Sequence, residues 1–182
     1  MTNYPYIRGV ARVSAPAAEP LTLAEVKAWL RIEHDDEDDL LATLIAAARE
    51  QAECRTGRSL ITQSWEVTYA DVAPQEIPLP HGPVQSISWL KTVAESGDET
   101  DIASDAYAIA ADGRQLLCEI GLAAHRILVR YVAGFGDAAE DVPADLRQAM
   151  LQHIALMYGE RETVLPPVAS VTTYAQYRGV RL

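Results

Sequence analysis

The side chains of this chain best placed to do chemistry are its carboxylates, its four histidines and its two cysteines. Carboxylates are densest at Glu33, Asp35, Asp36, Glu37, Asp38 and Asp39. A calcium loop would need glycine at its sixth position and a bidentate acid at its twelfth. Counted from Asp35, those positions are Leu40 and Ala46, so the spacing excludes it. His34, His81, His125 and His153 stand on separate segments, none with another His or Cys at zinc-ligand spacing. Cys54 and Cys118 make neither a disulfide framework nor a zinc site, and Cys54, in a helical stretch, reads as a small buried residue. Hydrolysis by a carboxylate pair needs two acids held about 5–10 Å apart, and nothing in the sequence fixes such a pair. Gly134-Phe135-Gly136 is too short for a dinucleotide fingerprint, and Gly57-Arg58-Ser59 lacks the preceding strand and the lysine of a phosphate loop. There is no Gly-x-Ser-x-Gly elbow. The residues predict no enzyme, no metal and no cofactor.

The elements that position these groups are more explicit than the groups themselves. Thr22 and Glu25 have the spacing of a capping box, in which each side chain takes up a free N–H at a helix start. Leu21 and Val26 stand where a hydrophobic staple packs. Asp35–Asp39 then sets negative charge at the first turn of a second helix, where the helix dipole favours it. Leu40, Leu41, Leu44, Ile45, Ala48 and Ala52 follow at helical spacing, and Gly57 suits a left-handed cap. The acidic run is therefore a solvated helix start before it is anything else.

From Ser59 the period changes to two. Ile61, Trp65, Val67 and Tyr69 share one face, and Thr62, Ser64, Glu66 and Thr68 the other. Prolines 74, 78, 80 and 83 mark an irregular connection unsuited to a central strand. Val84–Val93 alternates again. Tyr107–Ala111 and Arg114–Cys118 flank an Asp-Gly pair that favours a tight hairpin turn. Arg126–Val132 is the strongest strand, and Pro143 opens a last helix with Leu146, Met150, Ile154 and Met157 on one stripe. Consecutive strands without intervening helices favour an antiparallel sheet. The expected fold class is α+β: a small three-helix core, a β-rich and mostly antiparallel insertion between helices two and three, and an extended C-terminal tail. The expected segments are an N-terminal arm (1–20), the helical pair (21–58), the insertion (59–136), the last helix (137–163) packed on the pair, and the tail (164–182).

Net charge is −11, which argues against tight nucleic-acid binding, because that affinity comes mainly from Lys and Arg neutralising phosphates. An acidic wall can still let a duplex pass without sticking. No stretch has the roughly 18 consecutive apolar residues of a membrane span, and the start of the chain lacks a signal-peptide core. The tail is basic and aromatic on an acidic protein. Tyr174, Tyr177, Arg178, Val180, Arg181 and Leu182 follow a Pro-Pro break, and Tyr and Arg are enriched at interface hot spots. The tail is expected to dock into a partner, and its deletion from Val168 onward to leave a folded domain.

The run PLTLAEVKAWLRIEHDDEDDLLATLIAAARE with its exit TGRSLITQSWEV resembles the head–tail connector (adaptor) proteins of long-tailed bacteriophages and gene transfer agents. IPLPHGPVQSI, VRYVAGFGDAAEDVPADLRQAMLQHIALMYGERE and the Tyr-Arg end agree in order, so the resemblance spans most of residues 20–178. It implies a structural subunit without catalytic residues, made in the bacterial cytoplasm and incorporated into the particle neck. Such subunits form a ring, typically dodecameric, under the portal. They extend the DNA channel and carry stopper or tail proteins. By the same resemblance the tail would bind the portal. On charge and topology, not on the resemblance, Asp35, Asp36, Asp38 and Asp39 are expected to face the channel of such a ring, with DNA passing without specific binding or any membrane contact. A ring is a heterologous closing assembly, so each subunit needs two different complementary faces. Exposed β-segments of the insertion are candidates for such edges. The alternative reading is a non-viral module that binds a protein partner through the helical pair and tail.

Overall fold

The computed structural model describes residues 6–72, 75–118, 124–160 and 166–178. They fall into two compact units, a sheet unit (1–15 and 62–134) and a helical unit (16–61 and 135–182).

In the helical unit, α1 (Leu23–Leu30) and α2 (Asp38–Thr56) are the expected pair. The capping box is formed: Glu25 N–H donates to Thr22 Oγ1 at 3.2 Å, and Thr22 N–H donates to Glu25 Oε2 at 2.8 Å. Leu21 and Val26 are both buried, as a staple requires. Arg31 closes α1 at φ 60, and Gly57 closes α2 at φ 65, the left-handed conformation that glycine adopts without strain. Leu41, Ile45, Ala48 and Ala52 bury the inner stripe of α2, while Leu40 is exposed. Cys54 is also exposed, contrary to the expectation. Its two neighbours on the N-terminal side, Ala52 and Glu53, take the inward positions and leave it on the outer face. The helix α3 (Ala144–Gly159) supplies Leu146, Ala149, Met150, His153, Ile154 and Met157, the stripe read from the sequence, with His153 fully enclosed.

The expected extended tail is, over its described part, a fourth helix, α4 (Val168–Tyr177). It does bury something: Ser170 and Tyr174 are buried, and Tyr174 belongs to the same core as Leu41 and Met150. Ser170 Oγ donates to the Ala149 carbonyl at 2.8 Å. Polar β-branched residues concealed this helix, because Thr172 and Thr173 satisfy their hydroxyls on the carbonyls four residues back.

The sheet unit holds two antiparallel sheets over one core. The larger runs β1 (Tyr6–Ser14), β2 (Gln63–Val72), β8 (Ala124–Ala133), β4 (Val84–Val93), β5 (Glu99–Asp101) in spatial order. The smaller runs β3 (Glu76–Pro78), β7 (Gln115–Cys118), β6 (Tyr107–Ile109), so the proline-rich connection lies on an edge as its chemistry demands. Trp65, Val67 and Tyr69 of β2 point inward with Ile127, Val129 and Tyr131 of β8. The alternation of β4 is interrupted by register shifts between Val84 and Ser86 and between Ile87 and Trp89. Those shifts are why Leu90 and Val93 are buried, while Ile87 and Trp89 are only partly covered.

The arm expected over 1–20 is replaced over Tyr6–Ser14 by this edge strand β1, paired to β2 alone. Arg8, Gly9 and Ala11 interrupt any apolar alternation, and register shifts on both sides of the Gly9–Arg12 stretch hide the period.

Candidate functional site

Two regions singled out from the sequence lie in the helical unit, at the start of α2 and at the end of α4. At the first, Asp35 and Asp38 converge on one cation: Lys27 Nζ lies 2.5 Å from Asp35 Oδ1 and 2.8 Å from Asp38 Oδ1. Hydrogen bonds from Lys27, together with its charge, hold the Asp35 carboxyl below the ordinary carboxylate range, and the same bonds raise the Lys27 ammonium. Asp36 reaches only His34, at 3.9 Å, and is almost fully exposed. Asp39 is exposed in the first turn, and its carbonyl accepts the Thr43 hydroxyl at 2.9 Å. Glu37 accepts the Tyr158 hydroxyl at 2.5 Å, which pins the helix start to α3. Lys27 thus offsets part of the charge of Asp35 and Asp38, and Glu33, Asp35, Asp36 and Asp39 remain exposed at this helix start. Among the described residues no group of three His, Cys, Asp or Glu side chains could hold a metal ion.

At the end of α4 the predicted anchors separate. Tyr174 is 1% exposed and committed to the core. Tyr177 is half-buried: its hydroxyl donates to Asp145 Oδ1 at 2.7 Å, and its ring meets Phe135 edge-on at 6.3 Å. The Arg58 guanidinium lies 6.0 Å from both rings, and its Nε donates to the Tyr177 carbonyl at 2.8 Å. Burial, and then the Asp145 hydrogen bond, push the Tyr177 hydroxyl up to about 12. Arg178, the cap of α4, is exposed. Val180, Arg181 and Leu182 lie outside the described residues.

The remaining chemical candidates are positioned by packing. Cys118 is buried in the sheet unit, and burial raises its thiol, the opposite of what a nucleophile needs. His81 stacks on Trp65 with ring centroids 3.8 Å apart, and burial, with Arg12 nearby, lowers its basicity. At Gly136 an added Cβ would collide with the Asp141 carboxylate, whose Oδ2 accepts the Ala138 N–H at 3.0 Å. Gly136 is therefore a close-approach glycine before a short 3-10 turn, not part of a phosphate loop. The Arg58–Phe135–Tyr177 cluster escaped sequence reading because its three members are far apart along the chain. The opening strand left a weak signal, the β-branched Ile7, Val10 and Val13 lying before Pro16.

The sequence model of the phage gp6-like head–tail connector proteins matches residues 20–101. The matched segment is a little under half of the 182-residue chain. It holds both capped helices and β2 to β5, the elements most explicit in sequence. No curated protein matches the chain. Among solved structures, a chain from the neck of the empty gene transfer agent particle, computed with C6 symmetry, is similar with a TM-score of 0.82. Identity is 24%, over 96% of this chain and 97% of that one. A chain of the native gene transfer agent virion has a TM-score of 0.79 at 24% identity, over 95% and 96% of the two chains. A chain from the native particle's neck, computed with C12 symmetry, has a TM-score of 0.71 at 24% identity, over 96% and 97%. At that identity the likeness is one of fold, and it spans both units of the chain.

Proposed function

We propose that this connector is one subunit of a closed ring, a dodecamer in the particle, seated beneath the portal of a phage or gene transfer agent. The observation that carries this reading is the coincidence of a family match on the helical pair with a fold match, over nearly the whole chain, to proteins of a gene transfer agent neck. The ring extends the DNA channel and offers its far side to stopper or tail proteins. Net charge of −11, with Asp36 and Asp39 exposed to solvent, suits a passage along which DNA slides without sticking. Asp35 and Asp38 contribute less to that field, since Lys27 compensates them. Synthesis in the bacterial cytoplasm precedes incorporation into the neck.

Portal anchoring belongs, on this reading, to the C-terminal end: Tyr174, Tyr177, Arg178, Val180, Arg181 and Leu182. Burial of Tyr174 and the ties of Tyr177 favour Arg178 onward as the first contact, with the two tyrosines joining only if α4 lifts. Deleting everything from Val168 would remove Ser170 and Tyr174 from the core, so the informative truncation ends at Arg178.

The test is to tag the protein in its producer, purify DNA-filled particles and locate the tag by electron microscopy. Tag density in a ring at the neck is the expected result, and a chain truncated after Arg178 should be folded yet missing from particles. Absence of the full-length protein from particles would overturn the connector reading and favour a non-viral protein-binding module.

A further inference from the structure

The two edges of the five-stranded sheet are unlike each other. One edge is β1, nine residues long, with all its described side chains exposed. Ile7, Val10 and Val13 are 38%, 40% and 47% exposed. Ile7 lies opposite Tyr69 and Val10 opposite Val67, so the apolar inner face of the sheet runs out to this edge without cover. Its charges are Arg8 and Arg12, with no acid between Tyr6 and Ser14. A long apolar edge of this kind is what soluble proteins usually shorten, charge or cover, because its unpaired N–H and C=O groups template another strand.

The opposite edge is β5, three residues long and fully exposed. It sits in a stretch, Glu95–Asp105, that holds five carboxylates and no basic residue. Glu99 is engaged by Lys91 at 3.0 Å, whereas Asp101 lies 3.9 Å from the same ammonium and is 78% exposed.

We propose that β1 of one copy pairs with the β5 edge of the next copy, so that the sheet continues from subunit to subunit around the ring. The occupant is a second copy of this chain because one sheet carries both halves of the match. A basic edge with exposed apolar residues faces an acidic edge, and the contact is heterologous, as ring closure requires. Pairing β1 with β1 would set Arg8 and Arg12 against their own copies and would close as a dimer. Backbone hydrogen bonds supply the join, and Arg8 against Asp101 fixes its direction.

This inference rests on the ring reading above, and its experiment separates the two. Ala11→Cys and Thr100→Cys, one exposed position on each edge, are placed together in a Cys54→Ser background, leaving Cys118 buried. Particles purified from a producer carrying this chain are treated with a short bis-maleimide, and the connector is resolved by denaturing electrophoresis. A ladder of dimers, trimers and higher multimers is expected from the double-cysteine chain, with monomer alone from either single cysteine. Dimers from Ala11→Cys alone would overturn the proposal in favour of β1–β1 pairing. Connector present in particles but not cross-linked would overturn the edge pairing and leave the ring standing. Connector absent from particles would overturn the ring reading and this inference with it.

Discussion

Glu53 of the helical unit and Tyr131 of the sheet unit both hold polar atoms inside a core, by opposite chemistry. Glu53 is 5% exposed and bonds in two directions, accepting from Arg49 Nη1 at 3.1 Å and from the Leu60 N–H at 3.0 Å. Arg49 is as deeply buried and also reaches Glu19 at 2.9 Å. Tyr131 is neutral, and its hydroxyl donates to the Pro80 carbonyl, as that of Tyr69 does to Pro78. Burial pushes both phenols far above their ordinary range. The helical unit thus stakes its interior on charge. The sheet unit ties its proline-rich connection down with hydroxyls that never ionise at ordinary pH. The first arrangement is strong only while every member is present, because a buried charge without its partner is strongly destabilising.

That contrast can be broken most severely at Glu53. Glu53→Ala leaves Arg49 short of a partner and the buried Leu60 N–H without its acceptor, and should destabilise the protein by about 3–5 kcal/mol, measured by urea unfolding. A loss under about 1 kcal/mol would show that Glu19 and Glu50 compensate Arg49 alone. Tyr131→Phe keeps the ring and removes one hydroxyl, and should cost about 1–2 kcal/mol in the same assay. A cost equal to that of Glu53→Ala would erase the distinction between the units.

Smaller effects sharpen it. Thr22→Ala removes one half of the capping box and should cost about 1 kcal/mol, with amide exchange quickening in α1 and unchanged in the sheet unit. The partner Glu25 titrates below its ordinary 4.5, chiefly because it accepts the Thr22 N–H, with Arg147 adding to the effect. A lowered acid contributes stability that is complete above its unfolded value and is lost as pH falls through the folded one. Acid unfolding should therefore soften α1 before the sheet, and Glu25→Gln should flatten that part of the pH profile. The smallest effect belongs to Tyr177. Its raised hydroxyl contributes stability that is full below about pH 10 and lost as pH rises through about 12. Asp145→Asn should bring the tyrosinate absorbance of Tyr177 in at lower pH.

Helix starts and stops were legible because their signals are local: Thr22 with Glu25, Asp38 with the dipole, and Gly57 at positive φ each act within a few residues. The strands Gln63–Val72 and Ala124–Ala133 were legible because both faces differ along their length. Three things were not. The Tyr6–Ser14 strand owes its place to a partner more than fifty residues away and has no buried face of its own to set a period. The α4 helix is built from threonines, serine and tyrosines whose intrinsic preference is weak, and it forms on a groove that only the folded unit offers. Cys54 went outward because a buried Arg49–Glu53 pair took the inward positions, an arrangement that no hydrophobic pattern announces. At the candidate site, residue types were readable, whereas the capture of Asp35 and Asp38 by Lys27 and the enclosure of Tyr174 depended on the fold.

The enclosure of Tyr174 also carries a kinetic meaning. Only Ser170 and Tyr174 of α4 are buried, so this helix can separate from the other three at the cost of uncovering the part of the core that Tyr174 caps. Its opening should be a sub-global event, visible as hydrogen exchange over 168–177 faster than over α2 and α3. A partner that grips Tyr174 must wait for that opening. Its capture rate would then stop rising with concentration once the helix, rather than the encounter, sets the pace. A capture step of this kind would be timed by the protein's own motion and not by how crowded its surroundings are.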